Sequence, residues 1–185
     1  MLQTILSSFL LVALSEMGDK TQLLALSLAA RFKKPWPVMG GILVATLLNH
    51  SLASYAGNWI SSVFHPDLLR YLLGVSFIVF GLWTLFPDAM VKKEEASDAG
   101  AFLTAAFLFF LAEMGDKTQL VTVALSARYH SVFSVTAGTT LGMLASDSLA
   151  VFLGEKLAEK FPMVWIRRVA AALFFLFGLF RLFRL

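Results

Sequence analysis

The sequence predicts an all-α integral membrane protein, with six transmembrane helices arranged as two inverted three-helix repeats. Three observations predict it. Of 185 residues, 58% are apolar and the mean hydropathy is +0.78, against roughly 45–50% apolar in soluble domains. The apolar residues fall into six blocks near the ~20 helical residues that a hydrocarbon core requires. A shift of 97 residues lays the first half of the chain on the second without a gap.

The blocks are approximately 4–30, 37–60, 68–86, 101–127, 133–154 and 165–183. Block one has no basic n-region and no A-x-A-like site before Glu16, so it reads as a mature helix rather than a cleaved signal. The breaks carry turn or charge signals. They are Arg31-Phe32-Lys33-Lys34-Pro35, His65-Pro66-Asp67, the polar linker 87–100 opened by Pro87, Arg128-Tyr129-His130-Ser131, and Glu155 to about Val164.

The shift pairs Glu16 with Glu113, Asp19 with Asp116, Arg31 with Arg128, Gly41 with Gly138, Gly57 with Gly154, Arg70 with Arg167 and Gly81 with Gly178. Eleven of sixteen positions are identical between 16–31 and 113–128. The chain is an internal duplication: a first repeat 1–86, a cytoplasmic linker 87–100 and a second repeat 101–185. Three spans per repeat is an odd number, so the repeats enter the membrane from opposite sides, and a site is expected near the midplane where they meet. Arg31, Lys33, Lys34, Lys92, Lys93, Lys156, Lys160, Arg167 and Arg168 lie on one side, against Arg70, Arg128, Arg181 and Arg184 on the other. The richer side is expected in the cytoplasm, which places both termini on the non-cytoplasmic side. There is no cysteine and the net charge is only +3. That excludes disulfides and thiolate metal sites, and no nucleic-acid stripe forms.

The octet EMGDKTQL stands at 16–23 and again at 113–120. A charge at mid-span costs at least ~2.5–3.5 kcal/mol on insertion scales, so such residues face a bundle interior or a wet cavity. Read on a continuous helix, Glu16 and Asp19 share a face at i, i+3, and Lys20 pairs with Glu16 at i+4. Gly18 weakens the helix and lets a neighbour approach. Pseudo-symmetry then gathers Glu16, Asp19, Glu113 and Asp116 into a ring, with oxygens from Thr21, Gln22, Thr118 and Gln119. Such a set suits a hard divalent cation, Ca²⁺, Mn²⁺ or Mg²⁺. Met17 and Met114 could add thioether character. Crowded carboxylates let protons compete with the cation, the basis of cation/proton antiport. Lys20 and Lys117 serve either as internal counter-ions when the cation is absent or as permanent partners that hold the acids. An ion-pair network of purely structural use would explain one such octet, but two identical ones argue for a site.

Span two carries Thr46, Asn49 and His50 on one face, and His50 maps to Asp147. Asp147 could add a ligand or relay protons, with His50 as its counterpart; either could instead hydrogen-bond a neighbouring helix. Gly138 to Gly142 forms a small-xxx-small pattern that fits close helix packing or a homodimer surface. The phenylalanine-rich last span, with Arg181 and Arg184 near its end, reads as a lipid-facing helix.

Glu16-Met17-Gly18-Asp19-Lys20-Thr21 and Glu113-Met114-Gly115-Asp116-Lys117-Thr118 resemble the E-x-G-D-[KR]-[TS] signature of a family of small membrane cation/proton antiporters. The family includes bacterial manganese exporters and Golgi or thylakoid calcium/manganese transporters, and is grouped with the lysine-exporter superfamily. The resemblance covers essentially the whole chain. It implies that the acids of both motifs bind the transported ion, that Mn²⁺ or Ca²⁺ moves against H⁺ with no prosthetic group, and that the job is Mn²⁺ efflux across a bacterial inner membrane. Eukaryotic members carry N-terminal segments not seen here. The superfamily link also suggests a basic amino-acid exporter, although Lys20 and Lys117 already supply positive charge. An intramembrane aspartyl protease fits less well, because it needs one catalytic pair and here each acid is duplicated. A deep multidentate site argues for a carrier over a passive channel.

Overall fold

A computed structural model describes residues 1–86, 100–153 and 163–183. All regular structure among these residues is helical: α1 (Leu2–Glu16), α2 (Lys20–Phe32), α3 (Pro35–Val63), α4 (Pro66–Thr84), α5 (Gly100–Glu113), α6 (Lys117–Tyr129), α7 (Val132–Leu153) and α8 (Met163–Phe183). The expected linker lies outside the described residues apart from Gly100, where α5 begins. Lys92, Lys93, Lys156, Lys160 and Arg184 of the charge tally also lie outside them.

Helix starts and stops follow from local chemistry. α3 and α4 open on Pro35 and Pro66, whose missing N–H is harmless in a first turn. α2 and α6 end on Lys33 and His130, both left-handed at φ 51. Their N–H groups close the last turn on Ala29 and Ser126. These two caps are equivalent under the 97-residue shift.

The first and fourth apolar blocks differ from their expected form. Neither 4–30 nor 101–127 is one helix. Each breaks just after its glutamate, at Met17–Asp19 and Met114–Asp116. The cause is backbone conformation: Gly18 has φ 77 and Gly115 φ 78. That region is strained for residues with a Cβ and easy for glycine. Asp19 and Asp116 then begin the next helix as N-caps. Glu16 and Asp19 therefore do not share one helix face, and the expected Glu16–Lys20 pair within a helix does not form.

Each half lends its first helix to the other. α1 runs along α7, and α5 along α3; α2 packs on α7, α6 on α3, and α4 lies against α8. Thr46 donates a hydrogen bond to the Sδ of its own repeat equivalent, Met143, at 3.5 Å. The two apolar cores exchange under the same shift. One contains Val12, Leu125 and Val135; the other contains Phe109, Leu28 and Val38.

Glycines make the crossings close. A Cβ on Gly41 would stand 2.4 Å from the Phe102 carbonyl oxygen, and one on Gly138 would stand 2.5 Å from that of Ile5. Gly142 meets Phe9 and Ala13 of α1 in the same way. The small-xxx-small pattern is thus consumed inside the chain and does not form a dimer surface. Gly41→Ala and Gly138→Ala should each lower stability by about 1–3 kcal/mol, because the clash is with backbone that cannot rotate away. Thermal unfolding in detergent checks this.

Among the described residues, α3, α4 and α7 are long and apolar enough to cross a membrane, while α1 and α5 are shorter apolar helices. α3 exposes Leu43, Leu47, Leu48 and Leu52 in a stripe that a soluble protein would cover. α8 buries Ala170, Ala171 and Phe174 and exposes Val169, Leu176 and Phe180, so only one of its faces is free.

Candidate cation site

The two breaks bring helix ends into the middle of the bundle. α1 and α5 arrive with their carbonyl ends, and α2 and α6 start there with free N–H groups. The Gly-Asp-Lys-Thr-Gln run caps each start. Asp19 Oδ1 accepts from the Lys20 N–H at 2.8 Å. Gln22 Oε1 accepts from the Gly18 N–H at 2.8 Å, and Gln119 Oε1 from that of Gly115 at 2.7 Å. An aspartate followed three residues on by glutamine is a helix-start signal in sequence. It could have revealed the breaks, but the apolar residues on both sides favoured one long helix.

The charges pair across the halves. Lys20 Nζ lies 3.0 Å from Asp116 Oδ1, and Lys117 Nζ forms the reciprocal ion pair with Asp19 Oδ2. Asp19, Asp116 and Lys117 are buried, and the Lys20 side chain is 19% exposed. The Lys117–Asp19 pair is the drier of the two and holds its geometry because breaking it strands a charge away from water.

Glu16 is fully buried at the end of α1. Thr21 Oγ1 donates to its Oε2 at 2.8 Å, and Thr118 Oγ1 donates to its Oε1. Carboxylate oxygens of Glu16, Asp19 and Asp116 lie within 4.8 Å of one another. Oxygen ligands sit about 2.0–2.6 Å from a hard divalent ion, so small side-chain adjustments let the three oxygens converge on one ion. Glu113 is equally buried, but neither of its oxygens has a hydrogen-bond partner. It lies in electrostatic reach of Glu16, Asp116 and Asp147 and stands outside the three-oxygen cluster.

Thr21 and Thr118 are buried at the site and spend their protons on Glu16. Gln22 and Gln119 use their oxygens as caps, and Gln22 Nε2 donates to the Ser146 carbonyl at 2.9 Å. Ser146, the equivalent of Asn49 under the 97-residue shift, is a contact that the sequence did not signal. Asp147, next to it on α7, is fully buried with both oxygens unpartnered, and Glu16 and Asp19 act on it electrostatically. His50, its repeat equivalent, is fully buried on α3 with both ring nitrogens unpartnered. Met114 is 55% exposed and Met17 is half-buried.

Comparison with known proteins gives one family. Residues 4–92 and 101–184 match the family described as divalent cation/proton antiporter GDT1. The chain is 46% identical over 169 residues to a Vibrio cholerae protein named "Putative manganese exporter", covering 91% of this chain and 84% of that one. It is 28% identical to the GDT1-like protein sll0615 of Synechocystis, covering 96% of each. It is 30% identical to GDT1-like protein 4 of Oryza sativa subsp. indica, covering 94% of this chain and 70% of the relative. No solved structure gives a significant match.

Proposed function

Because the chain belongs to the divalent cation/proton antiporter GDT1 family, we propose that it exports Mn²⁺, with Ca²⁺ as a second cargo, in exchange for protons across a bacterial inner membrane. In this reading α1 with α2, and α5 with α6, are broken spans. Together with α3, α4, α7 and α8 they make six crossings, two inverted three-helix repeats joined by the 87–100 linker, with both termini on the non-cytoplasmic side. The transported ion is cargo, and no prosthetic group takes part.

One observation carries this reading: carboxylates from both halves, Glu16 and Asp19 from the first and Asp116 from the second, come within 4.8 Å of one another. Hard oxygen ligands without thiolate suit Mn²⁺ or Ca²⁺. Glu113 and Asp147 supply further carboxylates within electrostatic reach of the cluster, and His50, buried on α3, is the imidazole equivalent of Asp147 in the other half. The broken spans bring the positive ends of α2 and α6 and the carbonyl ends of α1 and α5 to the same place, an arrangement that carriers use at a midplane site. Without cargo, Lys20 and Lys117 balance Asp116 and Asp19. A divalent ion must displace these ammonium groups, and protons restore neutrality when the ion leaves. Exchange follows because ion and protons compete for the same oxygens. A basic amino-acid cargo fits less well, since two lysines already occupy the aspartates.

The test is flux into proteoliposomes with Mn²⁺, Ca²⁺, Mg²⁺ and lysine at two proton gradients. Mn²⁺ flux should rise with an opposing proton gradient and fall when a protonophore is added. Flux of lysine alone, or Mn²⁺ flux indifferent to pH and protonophore, rejects the reading.

A further inference from the structure

The site obeys the 97-residue shift in its ion pairs and glutamine caps but breaks it at the two glutamates. Lys20–Asp116 and Lys117–Asp19 are reciprocal, as are the caps Gln22–Gly18 and Gln119–Gly115. The threonines are not. Thr21 and Thr118 both donate to Glu16, and Glu113, just as buried, receives nothing. Under the shift, Thr21 to Glu16 becomes Thr118 to Glu113, and Thr118 to Glu16 becomes Thr21 to Glu113. A hydroxyl has one proton to give, so the two arrangements exclude each other. The octets are identical, so the mirror arrangement draws on the same chemistry. A second asymmetry accompanies the first: Met114 and Gly115 are exposed, while Met17 and Gly18 are half-buried.

We infer that the chain holds two overlapping cation half-sites that share Asp19 and Asp116, one completed by Glu16 and the other by Glu113, with the Thr21 and Thr118 hydroxyls selecting which is assembled. This rests on the carrier reading above. The described arrangement is the Glu16 half-site with the α5–α6 break open. The other is its mirror, with the threonines on Glu113 and the α1–α2 break open. Transport passes the ion between the two glutamates while the aspartates stay in contact with it. The buried Glu113 with no donor is the acceptor kept for the second arrangement.

The natural absence of cysteine permits a direct test. Met17→Cys and Met114→Cys serve as separate reporters for a water-soluble maleimide, and Mn²⁺ binding is followed by its electron paramagnetic resonance signal. Glu16→Gln and Glu113→Gln should each still bind one Mn²⁺, within about tenfold of the unaltered chain. Glu16→Gln with Glu113→Gln should bind at least about 100-fold more weakly, beyond the 10–100-fold typical of groups that only support a ligand. With Mn²⁺ present, Glu113→Gln should label at Met114→Cys and protect Met17→Cys, and Glu16→Gln should show the reverse. Thr21→Val with Thr118→Val, which keeps every carboxylate, should label both reporters alike. Loss of binding in both single variants, or one labelling pattern in both, overturns the inference and leaves the carrier reading standing. Failure of the unaltered chain to bind Mn²⁺ removes the carrier reading itself.

Discussion

Asp19→Asn and Asp116→Asn should each abolish cation transport, by at least about 100-fold, while the protein still folds and inserts. Folding survives at a lower melting temperature: asparagine keeps a polar side chain at each helix start, while stranding the partner lysine costs up to about 3–5 kcal/mol. Asp19 Oδ1 accepts from the Lys20 N–H, and asparagine ranks with aspartate as an N-cap. Transport fails because the negative charge and one anionic oxygen of the three-carboxylate cluster are gone. The expected loss exceeds the 10–100-fold typical of groups that only support a ligand. The aspartates should be the more severe sites, since both half-sites need them. Glu16→Gln and Glu113→Gln should also stop turnover. Flux of ⁵⁴Mn²⁺ into proteoliposomes, with melting temperature as the control for folding, checks all four. Near-normal flux in any of them removes that residue from the ligand set.

Lys117→Met should destabilise the cation-free protein by about 3–5 kcal/mol, the size expected when one partner of a buried pair is removed. Lys117 and Asp19 are among the most secluded charges in the chain, with side chains 7% and 2% exposed. Methionine keeps the length and apolar stem of lysine but leaves Asp19 without its ion-pair partner. Mn²⁺ should then restore much of the lost stability, since the ion supplies the missing positive charge and no longer competes with an ammonium group. Lys20→Met should follow the same direction with a smaller loss, because Lys20 is 19% exposed and water can screen Asp116. Melting curves with and without Mn²⁺ measure both effects. Equal destabilisation with and without Mn²⁺ would assign the lysines a purely structural role.

Much of this was legible in the sequence, and for physical reasons. Apolar blocks and paired prolines and charges at their ends bound α3, α4, α7 and α8 closely, because long buried or lipid-facing helices leave an uninterrupted composition signal. The gapless duplication pointed to two converging octets, and acids expensive to bury marked themselves as a site. What failed was backbone geometry. Helical spacing put Glu16, Asp19 and Lys20 on one face, whereas Gly18 at φ 77 turns the chain between them. Partner choice failed with it: Lys20 reaches Asp116 and not Glu16, and a contact across halves has no local sequence trace. The unequal treatment of Glu16 and Glu113 could not be read from identical octets, since it is a property of the arrangement the chain adopts. The fate of Gly138 and Gly142 depended on which helix lay opposite, and that helix was α1 of the other half.

The central claim is that the two octets build one shared site for which protons and a divalent ion compete. Its most direct test is a calorimetric titration of the purified protein with Mn²⁺ in buffers of different ionisation enthalpy, which counts ions bound and protons released together. The account predicts one Mn²⁺ per chain, proton release on binding, and loss of binding in either Asp19→Asn or Asp116→Asn. Two ions per chain, or one ion that binds without releasing protons and persists in both variants, would contradict it.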